Sequence, residues 1–378
     1  MKKLFVVLLF LIAVTAFAQN SDQAQIHYNR GLEHNRNGNY DQAIVEFTES
    51  IRLNPNNSVA YNDRGLAYIE KENYDHAIAD FDQAIRLNPN YVNAHNNRGI
   101  AYAEKGNYDR AIADFDQAVR LNPNSASPYD NRGRAYFEKS NYDRAIADFD
   151  QVIRLNPNSD TYYNRGLTYA NKGDDNRAIA DYNQSIRLSP SIKAYYERGN
   201  IYFNKGDYDQ AITDYDQVIR LNPNYDEAYY RRGLAYAEND NYDRAISDFD
   251  QVIRLNPNYD EAYYSRGNAY INKGNYDIAI SNYDQAIRLN PNYGEAYNNR
   301  GSAYHGKRDY DRAITDFNKA IQLNPNYVLA YCNRGHAYYA KRDYDRAIAD
   351  YEVVFRLDRN NADARQGLEK ALHRRGLQ

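Results

Sequence analysis

Asn107 to Asn124 reads NYDRAIADFDQAVRLNPN, and this phrase returns with small edits along most of the chain. Within it Tyr108, Ala111, Ile112, Phe115, Ala118 and Val119 recur three and four residues apart, the spacing of one face of an α-helix. Asn107 stands where an N-cap belongs, and Asp109 suits the positive end of the helix dipole. Asn122-Pro123 ends the helix, because the residue before a proline is driven out of the helical region. Just upstream, His95, Gly99 and Tyr102 show the same spacing and predict a first helix over 93–105. Gly99 and Ala111 are small, leaving room for two helices to cross closely, while His95, Tyr102 and Phe115 fill the space around the crossing.

The period is set by an Arg-Gly pair whose glycine is Gly31, Gly65, Gly99, Gly133, Gly166, Gly199, Gly233, Gly267, Gly301 and Gly335. Successive glycines lie 34 residues apart, except for two spacings of 33 where Asn158-Ser159-Asp160 and Ser191-Ile192 shorten a loop. Ten two-helix units follow, numbered below so that this glycine is position 8. A single unit cannot bury its own apolar face, so the units must stack.

The repeat resembles the tetratricopeptide repeat (TPR) family position by position. In the third unit the family's aromatic at 4 is His95, the glycine at 8 Gly99, the aromatic at 11 Tyr102, the alanine at 20 Ala111, the aromatic at 24 Phe115, the small residue at 27 Ala118 and the proline at 32 Pro123. All ten units keep positions 8 and 20, and all but the last, which has Arg359, keep the proline. The family's usual tryptophan at 4 is tyrosine or histidine, and its usual leucine at 7 is arginine throughout. The resemblance implies an all-α, right-handed superhelical solenoid of ten helix-turn-helix units over 24–357, closed by a C-terminal capping helix within 358–378. Such proteins act as interaction scaffolds without catalysis, and their concave face is lined by positions 2, 5, 9, 12 and 13.

Residues 1–18 read as a signal peptide: a basic start at Lys2-Lys3, an apolar run from Leu4 to Phe17, and Ala16-Phe17-Ala18 as an A-x-A site. The run has 14 residues, short of the roughly 20 that span a bilayer, so cleavage rather than anchoring is expected. Gln19 to Gln23 is a polar lead-in. The pattern is that of an exported bacterial protein, periplasmic or secreted, with no membrane span after cleavage. Loss of the two lysines takes the formal net charge from -4 to -6, and no basic block is present, which argues against a nucleic-acid partner. Cys332 is the only cysteine, so no internal disulfide can form.

No phosphate loop, nucleophile elbow, zinc-protease motif or paired Cys-x-x-Cys occurs, so neither an enzyme nor a cofactor is expected. His27, His34 and His95 fall in core slots of the repeat. His305 and His336, at positions 12 and 9, come near Cys332, but their spacing matches no ligand motif and no metal is expected. The helix pattern places Asp82 four residues before Arg86, the favourable order for a surface ion pair.

Two rows carry more information. The arginine at position 7 of every unit sits in a slot that should be half-buried, and position 23 is acidic in all units but the one with Asn282. A ladder of ion pairs is expected, Arg98 with Asp114 among them. At position 5, Tyr163, Tyr196, Tyr230 and Tyr264 form a stripe in four consecutive units, flanked by Asn200 and Asn268 at position 9 and by Asn171, Asn204 and Asn272 at position 13. Tyrosine and asparagine together can grip an extended peptide, with rings covering apolar area and amides meeting the backbone. The same pair can hold sugars, which leaves a glycan-binding accessory of polysaccharide export or cell-wall work as the alternative to a peptide-binding scaffold.

Overall fold

The computed structural model describes residues 20–376; the signal pattern of Met1 to Ala18 lies outside the described residues. Among those residues every regular element is an α-helix, and the chain is a helical repeat solenoid. In the third unit helix A is Val92–Glu104 and helix B is Tyr108–Leu121, and each later unit repeats this pair of 13- and 14-residue helices. Helix A begins one residue earlier than its spacing predicts, at position 1. The first helix A, over 20–36, takes in most of the polar lead-in, and the terminal helix is Ala362–Arg375. None of these helices is long and apolar enough to cross a membrane.

Contacts divide the chain into two units, Met1–Pro190 and Ser191–Gln378. In each, helix A packs on its own helix B and helix B on the next helix A, with alanines and one aromatic per repeat forming the core. Helix B ends where Asn122 N donates to Ala118 O at 3.0 Å, and Asn124 N then donates to the Asn122 side chain at 3.2 Å, an Asx turn around Pro123. Asn107 accepts from Arg110 N at 3.3 Å, the expected N-cap. In the two shortened loops the cap residues Asn158 and Ser191 are more extended, at φ -144° and -136°, and so take up the missing residue.

The turn between helices A and B needs one residue in the left-handed region. Gly106 fills it at φ 73°, as glycine does in four other units, but Arg308 and Arg342 are held there at 63° and 65°. A side chain in that region costs about 1 kcal/mol. Arg308→Gly and Arg342→Gly are each expected to stabilise the array by up to about 1 kcal/mol, read as a higher urea midpoint.

Position 7 carries the expected ladder and more. Arg98 donates from Nε and Nη2 to the two carboxylate oxygens of Asp114 at 2.8 and 2.5 Å, and from Nη1 to Asp82 of the preceding helix B at 2.5 Å. The same fork recurs from Arg64 to Arg334, with Arg266 donating to the Asn282 carbonyl at 2.6 Å. Within each of the two units, arginines such as Arg98, Arg132, Arg232 and Arg300 thus join their own repeat to the one before it. The helical i, i+4 pair of Asp82 with Arg86 does not form, because Arg98 takes that carboxylate. The ladder also stops at the first unit: Arg30 is exposed, and Glu46 meets His27 at 2.6 Å instead.

Candidate functional site

Consecutive helices A touch one another, whereas no two described helices B do, so within each unit the helix A row forms the inner side of the stack. The tyrosines and asparagines singled out above lie on that row. Tyr196, Tyr230 and Tyr264 follow one another on the helices Ile192–Asn204, Asp226–Glu238 and Asp260–Asn272. Tyr163 lies on Ser159–Asn171, with its ring 5.8 Å from that of Tyr182.

The stripe is half-buried rather than open. The Tyr230 ring lies 5.0 Å from Tyr259 and the Tyr264 ring 4.9 Å from Tyr293, while Tyr196 packs on Tyr225 at 5.5 Å. Each stacking partner is the tyrosine that follows Asn-Pro-Asn, at position 34. That recurrence was visible in the sequence as Tyr91, Tyr225, Tyr259, Tyr293 and Tyr327, but only the folded loop brings it over position 5. The hydroxyls are engaged as well: Tyr196 donates to Glu227 at 3.3 Å, Tyr230 meets Ser265 at 3.3 Å, and Tyr264 accepts from Asn299 at 3.0 Å. Burial, aided by the Glu227 carboxylate, pushes the Tyr196 hydroxyl up to about 12, and burial raises Tyr230 and Tyr264 too.

The asparagines divide by position. Asn200 and Asn268 accept from the buried hydroxyls of Tyr215 and Tyr283 at 2.9 and 2.8 Å, so these two complete the core. In both units tyrosine replaces phenylalanine at position 24, and its hydroxyl is the group the asparagine satisfies. Asn171, Asn204 and Asn272 are exposed at position 13; the Asn171 amide turns back to Leu167 O at 2.9 Å.

Beside Asn272 the inner side opens into a cavity of about 670 Å³ across repeats seven to nine. Glu238, Tyr242, Asn272, Tyr276, Ser302 and His305 line it, above the buried rings of Phe249 and Tyr283. Gly306 permits this shape, since a Cβ there would stand 2.8 Å from the Tyr276 ring. The surroundings are acidic: Glu197, Glu227, Glu238, Glu261 and Glu295 face Lys193 and Arg231 on the same row of helices. Burial lowers His305, which favours its neutral form. Further along, Cys332 and His336 meet Asp363, a residue that spacing along the chain did not connect to them. Their ligand atoms all lie within 4.8 Å of one another, the one group of this kind among the described residues.

Family models described as "Tetratricopeptide repeat" match residues 62–126, 131–191 and 264–328, and, for a second model, 24–57, 226–259 and 328–361. The chain belongs to the tetratricopeptide repeat family. A third TPR model matches 199–240. A tetratricopeptide repeat protein from Parabacteroides merdae ATCC 43184 shares 22% identity over 65% of this chain and 98% of its own, with a TM-score of 0.50. The C-terminal part of a TPR repeat-containing protein from Cytophaga hutchinsonii is 23% identical over 71% of this chain and 98% of its own, at 0.49. MamA is 32% identical over 42% of this chain and 94% of its own, at 0.42. No curated protein matches. TPR proteins are in general interaction scaffolds without catalysis, and this TPR chain has the fold of one.

Proposed function

We propose that this TPR protein binds an extended, basic segment of a partner protein along the inner side of Ser191–Gln378. The observation that carries this is the combination on one row of helices of exposed carboxylates, Glu238, Glu261 and Glu295, with the tyrosine-lined cavity beside Tyr242 and Tyr276. A lysine or arginine side chain entering the cavity meets ring faces and the Glu238 carboxylate, and the exposed amide of Asn272 is free to reach a peptide backbone. The half-buried stripe of Tyr196, Tyr230 and Tyr264 forms the floor of this groove, each ring packed at a tilt between the aromatic at position 24 and the tyrosine at position 34. That leaves little open ring face for a sugar and supports the protein reading over the glycan one. The Met1–Ala18 pattern supports a site of action in the cell envelope or outside the cell.

Selection of a random peptide library on the chain starting at Gln19 is expected to enrich lysine and arginine. The triple variant Glu238→Gln, Glu261→Gln, Glu295→Gln should weaken the selected peptides about tenfold, at ~0.5 kcal/mol per exposed ion pair, with an affinity that falls as salt rises. Enrichment of acidic or uncharged peptides, or an unchanged affinity in the triple variant, would refute the reading.

A further inference from the structure

The end of the array departs from its own repeat at three points that meet in space. Position 5 is tyrosine, asparagine or aspartate in every other unit and cysteine only at Cys332; position 9 is histidine only at His336. Both lie on helix A of the tenth unit, Val328–Ala340, one turn apart. The terminal helix Ala362–Arg375 then brings Asp363 over them. Cys332 Sγ lies 3.3 Å from Asp363 Oδ2, and His336 Nε2 lies 3.5 Å from Asp363 Oδ1.

We propose that Cys332, His336 and Asp363 form a binding site for a single zinc-class divalent cation. A tetrahedral ion bonded at ~2.3 Å to sulfur and ~2.0–2.1 Å to nitrogen and oxygen holds its ligand atoms about 3.4–3.6 Å apart. The two separations, 3.3 and 3.5 Å, lie within about 0.3 Å of that spacing, a shift that a side-chain rotation supplies. A thiolate, an imidazole and a carboxylate select zinc or a neighbouring transition ion over magnesium or calcium, which need oxygen donors. On binding, the Cys332 Sγ–H proton leaves to solvent and the sulfur lone pair bonds the metal, with no change of oxidation state.

The surroundings supply an entrance and a polar group that lacks a partner. Asp363 is exposed, and a cavity of about 500 Å³ beside Cys332 and Asp363 opens past Tyr327 and Leu329. Tyr351, whose ring lies 5.6 Å from that of His336 in the same core cluster as Cys332, buries a hydroxyl that has no hydrogen-bond partner. A water completing the fourth position of a three-ligand ion would offer such a hydroxyl one. The site does not depend on the peptide reading above.

The test is metal titration of the tag-free chain after treatment with a chelator. One zinc ion per chain is expected, and cobalt(II) should give a thiolate charge-transfer band, whose only possible source is Cys332. Cys332→Ser should abolish the band, and both it and Asp363→Asn should weaken zinc binding at least about tenfold, the least that even outer-shell changes cost. Asp363 has 63% of its side chain exposed, so Asp363→Asn leaves the packing intact and reports on ligation. The absence of stoichiometric zinc uptake by the natural chain, or wild-type affinity in either variant, overturns the proposal.

Discussion

Arg132→Ala is expected to destabilise the N-terminal unit by about 3–5 kcal/mol at neutral pH, the cost of stranding a buried charge. The Arg132 fork donates to Asp148 at 2.8 and 2.6 Å and to Asp116 of the preceding repeat at 2.6 Å. Its side chain is 17% exposed and that of Asp148 only 6%, so the carboxylate depends on the guanidinium rather than on bulk water. The loss should depend on pH, and its sign follows from Asp148. Burial raises that group even with the arginine offsetting it, and removal of the arginine raises it further. A carboxyl whose folded value lies above its unfolded one costs stability while it is ionised, and the cost fades as pH falls through the folded value. Urea unfolding should therefore show a smaller deficit for Arg132→Ala near pH 4 than near pH 7, and an equal deficit at both would refute the account. A double variant, Arg132→Met with Asp148→Leu, should recover most of the loss, because an apolar pair of similar volume leaves no buried charge and only the solvent-reachable Asp116 loses its partner. The long-range reach to Asp116 implies that such changes loosen the interface between neighbouring repeats as well as the repeat that carries them.

Phe115→Ala is expected to cost about 3–5 kcal/mol through the cavity it leaves. The ring is 1% exposed and fills the helix crossing against Gly99. A Cβ on Gly99 would stand 2.6 Å from Phe115 Cε1 and 2.8 Å from Cδ1, so Gly99→Ala alone should cost about 1–3 kcal/mol by overpacking. The two positions occupy one volume, so Gly99→Ala combined with Phe115→Leu should cost clearly less than the sum of the single changes. Additive losses in a double-mutant cycle would show that glycine and ring do not share that space. The same contact, at 2.6 to 3.0 Å, recurs in all ten repeats, so a side chain at position 8 meets a core ring in every unit.

These two contacts show how far the chain could be read in advance. Glycine at 8, alanine at 20 and an aromatic at 24 are close partners across one short turn, so their spacing alone predicted the crossing that the structure contains. The arginine ladder was legible for a similar reason, since Arg98 and Asp114 belong to one repeat. Its second arm, to Asp82 of the preceding repeat, was not, and the pattern suggested the helical partner Arg86 instead. Local spacing favours the i, i+4 pair, but a half-buried guanidinium with a rigid fork outcompetes an exposed one for the same carboxylate. In the first unit Glu46 pairs with His27 instead, and Arg30 lies open.

The candidate surface was legible only in part. The sequence placed Tyr196, Tyr230 and Tyr264 on one face correctly, because the repeat puts position 5 of every helix A in the same place. It did not reveal that position 34 tyrosines lie over them, or that Asn200 and Asn268 are committed to Tyr215 and Tyr283. Those pairings join segments whose approach depends on the path of a loop or on a second helix.

The sequence by itself determined the repeat, its helices, its family and the self-pairing arginine row, since each rests on spacings of a few residues within one unit of a pattern written ten times. The tertiary structure alone decided what passes between neighbouring repeats: the second arm of arginines such as Arg98, the tyrosine pairs, the cavity beside Tyr276, and the meeting of Asp363 with Cys332 and His336. Those contacts are set by how one repeat rotates onto the next, and that rotation is fixed by the summed packing of whole helices rather than by any local pattern.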